Sequence, residues 1–329
     1  MTDQTDSAAG TGELSDAAAA NSMVPLWDIY HRLMSTEPAP ACDPAYWNYA
    51  EIRPLLSRVA REVSTEEAER RVLLLRNPGL PKPFATHLLG CGLQILLGGE
   101  TEAPHRHTPS ALRLVLEGRG AYTTTNDEQM WMHPGDVIIN PSWHWHGHGK
   151  VSDGEMIWLD GIDVPLINHL HLNFTEYHQG ELPNLPQEEP ARLPDALPYH
   201  YPYARVRPAL EQLQREQPLD DCHGVKMRLT DHRTGGNFMN TIAGFMQLFP
   251  AGFSSRPVRS SDAVVYSVVE GTGSITIGDR AFTFAQHDTL VVPNWTDASF
   301  DITTETVLFS FSDRAMQEAL GLWRERRAD

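Results

Sequence analysis

The sequence predicts a mostly β protein built from two tandem copies of one small barrel, with helices in front. Three observations carry that expectation. From about Phe84 onward, short strand-like runs alternate with Gly, Pro, Asn and Asp turns, the pattern of a sandwich or barrel. An internal repeat follows: Gln94, Gly99, Pro104, Val115, Glu117, Gly118 and Gly120 recur 153 residues later as Gln247, Gly252, Pro257, Val268, Glu270, Gly271 and Gly273. Asp136, Pro141 and Trp143 then recur as Asp288, Pro293 and Trp295, now 152 residues later, which places a one-residue deletion in a turn. Finally, 329 residues are enough for two ordinary cores.

In chain order, residues 1–22 are acidic and Ser/Ala-rich, lack a basic start before an apolar stretch, and read as a disordered tail without a secretory signal. Residues 23–83 read as a helical region with a lead strand. Ser64 and Glu67 form a capping-box match that opens a short helix to Arg70 or Arg71; Val72 to Leu75 reads as a strand, closed by Asn77-Pro78-Gly79. Residues 84–172 form the first barrel. Seven prolines between Glu181 and Pro208 make 173–238 an extended connector, and 239–329 give the second barrel with a C-terminal helix.

Composition narrows the function. Lys and Arg total 26 against 43 Asp and Glu, a formal charge of −17, so the surface repels nucleic acid and anionic lipid. No apolar run approaches the roughly 18 to 20 residues of a membrane span. Cys42, Cys91 and Cys222 are widely spaced and form no CxxC pair, which fits a reduced cytoplasm and argues against a disulfide framework or a cysteine zinc site.

Histidine is the informative residue. Six of the fifteen fall between Pro104 and His148. Alternation puts His105 and His107 on one face of a strand; 39 residues after His107, His146 shares a face with His144 and His148. Two such sets inside one barrel can bring three neutral imidazoles to a point, a good donor set for a divalent transition metal. The second copy is a control: Val258, Ser260 and Ala298 stand where His105, His107 and His146 stand, and Phe300 replaces His148. The scaffold therefore folds without these histidines, and the first barrel is the metal barrel.

Pro104-His105-Arg106-His107, Glu117-Gly118-Arg119-Gly120, and Pro134-Gly135-Asp136 followed by His146 resemble the two cupin motifs, so the fold is expected to be a bicupin of two jelly-roll (double-stranded β-helix) barrels. Metal cupins commonly carry a Glu four or five residues past the second His; here those positions are Ala111 and Leu112. HRHTPSALR at 105–113, PSWHWHGHG at 141–149, WLDGIDVPL at 158–166 and the ending LFSFSDRAMQEALGLWRE resemble the gentisate 1,2-dioxygenase family, which includes salicylate and 1-hydroxy-2-naphthoate dioxygenases.

That resemblance implies one Fe(II) per chain, held by His105, His107 and His146 in the N-terminal barrel. It implies cleavage of the bond between the carboxyl-bearing and hydroxyl-bearing carbons of gentisate or a 5-substituted salicylate, with both atoms of O2 incorporated. It also implies a homotetramer. A ligating carboxylate would cancel charge that a dianionic substrate needs, so the missing Glu is consistent with that chemistry. Arg113 alternates to the histidine face, where a guanidinium can pair with the substrate carboxylate or stabilise a reduced-oxygen anion. His148 is expected as general acid or base, or to hold the hydroxyl side of the substrate, with Asp160 orienting it or a ligand; Asp163 lies nearer the turn and weighs less. Gly90, Gly92 and Gln94 should line the pocket, the glycines leaving room. Either Arg70 or Arg71 should reach inward, with Arg71 preferred. The competing classes are a non-catalytic metal-binding bicupin, and an isomerase or decarboxylase cupin, which should keep the ligand Glu.

Overall fold

The computed structural model describes residues 5–126, 128–179 and 198–328. Residues up to Ala39 form a unit of their own, with α1 (Thr5–Ala20) and α2 (Leu26–Leu33) tied by a hydrogen bond from Ser15 Oγ to Asp28 Oδ2 of 2.7 Å. The predicted disordered tail is thus helical over Thr5–Ala20; it ends in four alanines, the residue that loses least on entering a helix.

From Pro40 onward the chain is a second unit. It opens with β1 (Ala45–Trp47), α3 (Tyr49–Glu62), α4 (Thr65–Ala68) and β2 (Val72–Leu74). Asn48 caps α3 by accepting from Glu51 N, and Ser64 caps α4 by accepting from Glu67 N, as the capping-box reading expects. The first barrel follows: β3 (Gly90–Leu97), β4 (Thr101–His107), β5 (Ala111–Glu117), β6 (Ala121–Thr125), β7 (Glu128–Met132), β8 (Val137–Asn140), β9 (His146–Lys150) and β10 (Glu155–Ile162). A short helix α5 (Val164–His169) and an edge strand β11 (Thr175–Tyr177) close it.

Next come β12 (His200–Tyr201), α6 (Tyr203–Glu216) and β13 (Val225–Leu229). The second barrel comprises β14 (Ala243–Phe249), β15 (Val258–Ser260), β16 (Val264–Glu270), β17 (Gly273–Ile277), β18 (Arg280–Phe284), β19 (Thr289–Val292), β20 (Ala298–Ile302) and β21 (Thr306–Ser312). It ends in α7 (Arg314–Ala319) and β22 (Glu325–Arg327). The two barrels have the same strand order, β12-β8-β5-β10-β3-β2 facing β11-β4-β9-β6-β7, and β1-β19-β16-β21-β14-β13 facing β18-β17-β20-β15-β22. Each is a jelly roll, and alternate residues of each strand fill its interior. The repeated Glu-Gly turns explain themselves: Gly118 and Gly271 both take positive φ (105° and 90°), with backbone of the neighbouring strand where a Cβ would sit.

The expected connector departs most from the structure. Residues 180–197 lie outside the described residues, but 198–229 are not extended: they repeat the lead of the first barrel. Tyr49-Ala50, Arg53-Pro54 and Leu56 recur 154 residues on as Tyr203-Ala204, Arg207-Pro208 and Leu210, on helices of equal length. Leu56 and Leu210 are fully buried. Arg53 pairs with Glu117 and Glu155 of the first barrel; Arg207 pairs with the equivalent Glu270 and Glu305 of the second.

The lead strands are exchanged. β1 pairs with β19 of the second barrel, whereas β12 pairs with β8 of the first. The repeated Asp of each Pro-Gly-Asp or equivalent turn fastens this exchange. Asp136 accepts from Tyr203 N (2.8 Å) and bonds His200 Nε2 (2.9 Å); Asp288 accepts from Tyr49 N (2.7 Å) and Tyr46 Oη (2.8 Å).

Candidate metal centre

The first barrel's interior carries the histidine cluster. In the β4–β9 register His105 stands opposite His146, so both rings enter from facing positions, and His107 follows on the same face. Ring centroids are 4.2 Å apart for His105–His146, 4.7 Å for His107–His146 and 5.4 Å for His105–His107. One nitrogen from each ring lies within 4.8 Å of the others, and among the described residues this is the one cluster of three His, Cys, Asp or Glu side chains so placed.

The tautomers are set by backbone carbonyls, which can only accept. Nδ1 of His107 donates to Pro109 O (2.7 Å), that of His146 to His144 O (2.8 Å) and that of His105 to Ala103 O (3.2 Å). Each Nε2 then carries a lone pair, the usual arrangement behind a metal-binding imidazole, and that of His105 faces the Arg70 guanidinium at 2.5 Å. Nε2 of His146 is buried with no partner in the protein. Burial holds these rings neutral: His105 is pushed down to about 3, reinforced by the Arg70 charge, and His107 to about 4. Three neutral, pre-oriented donors fit a divalent transition metal and leave its full charge for anionic ligands.

The shell around the triad differs from the sequence expectation in four places. Arg70, not Arg71, faces the histidines. Its Nη2 lies 2.8 Å from Nδ1 and 2.5 Å from Nε2 of His105, so it sits over the Cε1 side of the ring and leaves Ala103 O to set the tautomer. Arg71 is turned the other way, 3% exposed, bonded to Ala60 O and paired with Glu100. The β2–β3 register explains this: Val72 opposes Gln94, so Arg70 shares their inward face and Arg71 does not.

Asp160 does not reach His148. It lies 3.3 Å from Arg113 Nε and accepts from the Trp158 indole at 3.0 Å. Arg113, 4% exposed, also donates to Asn140 Oδ1. Burial weakens its hold on the proton and raises Asp160 at the same time, each partly offset by the other's charge. His148 is buried with both ring nitrogens unpartnered, its acidity raised by burial and by Arg113.

Gly90 and Gly92 lie on the inward side but leave no spare room. A Cβ on Gly92 would meet Val72 Cγ1 at 2.8 Å, and one on Gly90 would meet Ile162 Cγ2 at 3.0 Å. They let β2 and β10 pack closely instead. Asp163 is a structural staple, accepting from Ser110 N at 2.7 Å and from Thr241.

Sequence reading missed Glu102. Alternation from His105 places residue 102 outside, but the β4–β9 register shifts between Glu102 and His105, a bulge that turns both inward. Glu102 is 8% exposed and opposes His148; Oε1 accepts from Gln94 Nε2, and Oε2 lies 3.6 Å from Arg70 Nε. Burial pushes its carboxyl up to about 7 against the pull of Arg70 and Arg113. Nothing in the sequence alternation signals a bulge there.

The second barrel has no equivalent centre. Val258 opposes Ala298 as His105 opposes His146, and Tyr266 and Phe300 pack into the interior with ring centroids 5.5 Å apart. A cavity of about 30 Å³ is left there, the size of one water.

A jelly roll with a buried three-histidine centre beside two arginines, fused to a plugged copy of itself, defines a metal-dependent bicupin. A cupin domain model matches residues 92–162. Gentisate 1,2-dioxygenase 1 of Aquipseudomonas alcaligenes is 38% identical over 94% of each chain, and gentisate 1,2-dioxygenase of a Streptomyces species is 33% identical over 93% of this chain and 92% of its own. The crystal structure of a salicylate 1,2-dioxygenase from Pseudaminobacter salicylatoxidans superposes with a TM-score of 0.85, at 28% identity and 96% coverage of both chains. The chain belongs to the gentisate 1,2-dioxygenase family, and it is a metal-binding dioxygenase.

Proposed function

We propose that the protein is an Fe(II)-dependent ring-cleaving dioxygenase of gentisate or a 5-substituted salicylate. The observation that carries this reading is the all-imidazole donor set with no carboxylate among its members, flanked by two guanidiniums. His105, His107 and His146 would hold the ion through Nε2. Iron bound there supplies a template and an electron relay between substrate and dioxygen.

The chain's own groups do the rest. Arg70, half-buried at the triad, and Arg113, fully inside, are the cations for the substrate carboxylate. Asp160 fixes the Arg113 fork by its contact at Nε. An unpartnered His148 nitrogen can accept a hydrogen bond from the substrate's 2-hydroxyl and orient it. Trp158, fully buried with its ring 5.9 Å from that of His148, excludes water on that side. Exposed Leu26, Trp27, Tyr30 and Leu33 on α2 support self-association into the family's tetramer. Among the described residues no helix is long and apolar enough to cross a membrane; the three cysteines, all buried and unpaired, support a cytoplasmic setting.

The test is oxygen uptake by anaerobically iron-loaded protein with gentisate, salicylate, 5-nitrosalicylate and 5-chlorosalicylate, with iron measured on the same sample. Uptake with at least one, and none after chelation, is expected. No uptake with any of them at full iron occupancy would refute it.

A further inference from the structure

The second barrel lacks the triad but keeps a cation on its lead strand. Lys226 of β13 opposes Gln247 of β14, as Val72 of β2 opposes the equivalent Gln94 of β3. The inward face of each lead strand thus delivers one positive group: Arg70, two residues before Val72, in the first barrel, and Lys226, at the place of Val72 itself, in the second. Lys226 stands where two spaces meet. With Tyr266, which occupies the place of Arg113, it lines the small interior cavity of about 30 Å³. With His223 it also lines an outer groove of about 780 Å³ between the end of α6 and β13. That volume suits a small organic molecule, and Leu213, Leu219, Val225 and Met227 give the groove apolar walls.

The charged groups around Lys226 are occupied elsewhere. Asp262 accepts from the Trp323 indole at 2.9 Å, Glu325 is bound by His223 at 3.1 Å, and Asp220 is paired with Arg327 at 2.7 Å. Arg228 and Arg314 share Glu318. Asp221 stands exposed at the rim. Lys226 itself makes no hydrogen bond or ion pair among the described residues; its Nζ rests over the Phe245 ring, 4.7 Å from the centroid. Burial lowers its ammonium to about 8 while the charge of Asp262 opposes the shift, so it is mostly charged at neutral pH. A partly buried ammonium without an anion carries a cost that an anionic ligand removes.

We propose that Lys226 anchors a second ligand site, in which a small monocarboxylate with an apolar body sets its carboxylate at the ammonium and its body in the groove. One unpaired cation matches one carboxylate, and Asp221 at the rim disfavours a second negative charge. The interior cavity, the size of one water, admits no ring, so the body of the ligand stays outside the barrel. This site is separate from the metal chamber and does not depend on the dioxygenase reading.

The lysine content makes the test direct. The chain has three lysines: Lys82 is exposed, Lys150 is buried and bonded to Arg119 O and Asp153 O, and the third is Lys226. Iron-loaded protein is given a brief reductive methylation, with benzoate as the probe, and each lysine is followed by peptide mass spectrometry. Benzoate should slow Lys226 saturably, about tenfold at ten times its half-effect concentration, with Lys82 unchanged and sodium chloride at matched ionic strength without effect. Calorimetric titration of wild type and Lys226→Met is the second readout: the variant should bind benzoate at that site at least about tenfold more weakly. The proposal is overturned if Lys226 is not methylated without benzoate, if benzoate leaves its rate unchanged, if chloride protects equally, or if Lys226→Met keeps the wild-type stoichiometry and affinity. Should that variant fail to fold, the methylation of the wild type decides. Neither readout involves turnover, so failure here leaves the dioxygenase reading intact.

Discussion

Replacing Asp160 by alanine tests the electrostatics of the chamber most directly. Arg113 is 4% exposed and cannot be rescued by solvent once its carboxylate partner is gone. Removing one member of a buried ion pair costs about 3 to 5 kcal/mol. Asn140 still binds the Arg113 fork and Glu102 still contributes its charge, so the lower end applies, about 3 kcal/mol. The indole N–H of fully buried Trp158 also loses its acceptor, adding about 1 kcal/mol. For a chain of this size about 2 °C of thermal midpoint accompanies each kcal/mol, so the metal-free Asp160→Ala protein should melt roughly 8 °C lower at a fixed scan rate. The decisive arm is the double variant Arg113→Met/Asp160→Leu. With both charges gone, stability should return most of the way, while the KM for a carboxylate substrate stays high. A double variant no more stable than Asp160→Ala would refute the claim that the loss comes from a stranded cation.

The two adjacent arginines should separate in kinetics: Arg70→Met raises KM several-fold, whereas Arg71→Met, which strands Glu100 away from the triad, lowers stability with KM unchanged, read by thermal denaturation and steady-state kinetics. Grafting Val258→His, Ser260→His and Ala298→His should leave one metal per chain by elemental analysis, because Tyr266 and Phe300 already fill that interior; a second equivalent would contradict this. Asp313, raised by burial to about 6 from 3.8, holds its proton more tightly folded than unfolded. Its contribution to stability is therefore greatest below about pH 4 and is lost as pH climbs towards 6, a change of about 3 kcal/mol that Asp313→Asn should remove from a melting-temperature series across that window. Truncation after residue 172 should give aggregated material by size-exclusion chromatography, since β8 loses β12 and β1 loses β19.

The parts of the site that obey strict alternation were legible in the sequence. His105 and His107 lie inside because two residues of one strand alternate to the same face, and the second copy, with Val258 and Ser260 at their places and Ala298 at that of His146, marks these histidines as dispensable to the fold. What alternation cannot supply is the pairing partner. Choosing Arg70 over Arg71 needs the Val72–Gln94 register, and placing Glu102 inside needs the β4 bulge; both are tertiary facts. Gly92 was read as space because a glycine has no side chain, yet Val72 from another strand occupies that volume. The connector was misread for a different reason. Proline density suggests extension, but Pro202 stands just ahead of α6, and Pro208 within it recurs from Pro54 of α3. The signal was available in the Tyr-Ala and Arg-Pro pairs shared by the two leads.

The swapped lead strands bear on how such a molecule could change over generations. Once each half supplies an edge strand and a helix anchor to its sibling, neither gene segment can be discarded, even after one of them has given up its chemistry. Mutation is then free to erase imidazoles from the idle half and stuff it with aromatic rings, but not to delete it. The inert copy persists as the clamp that keeps the working copy closed.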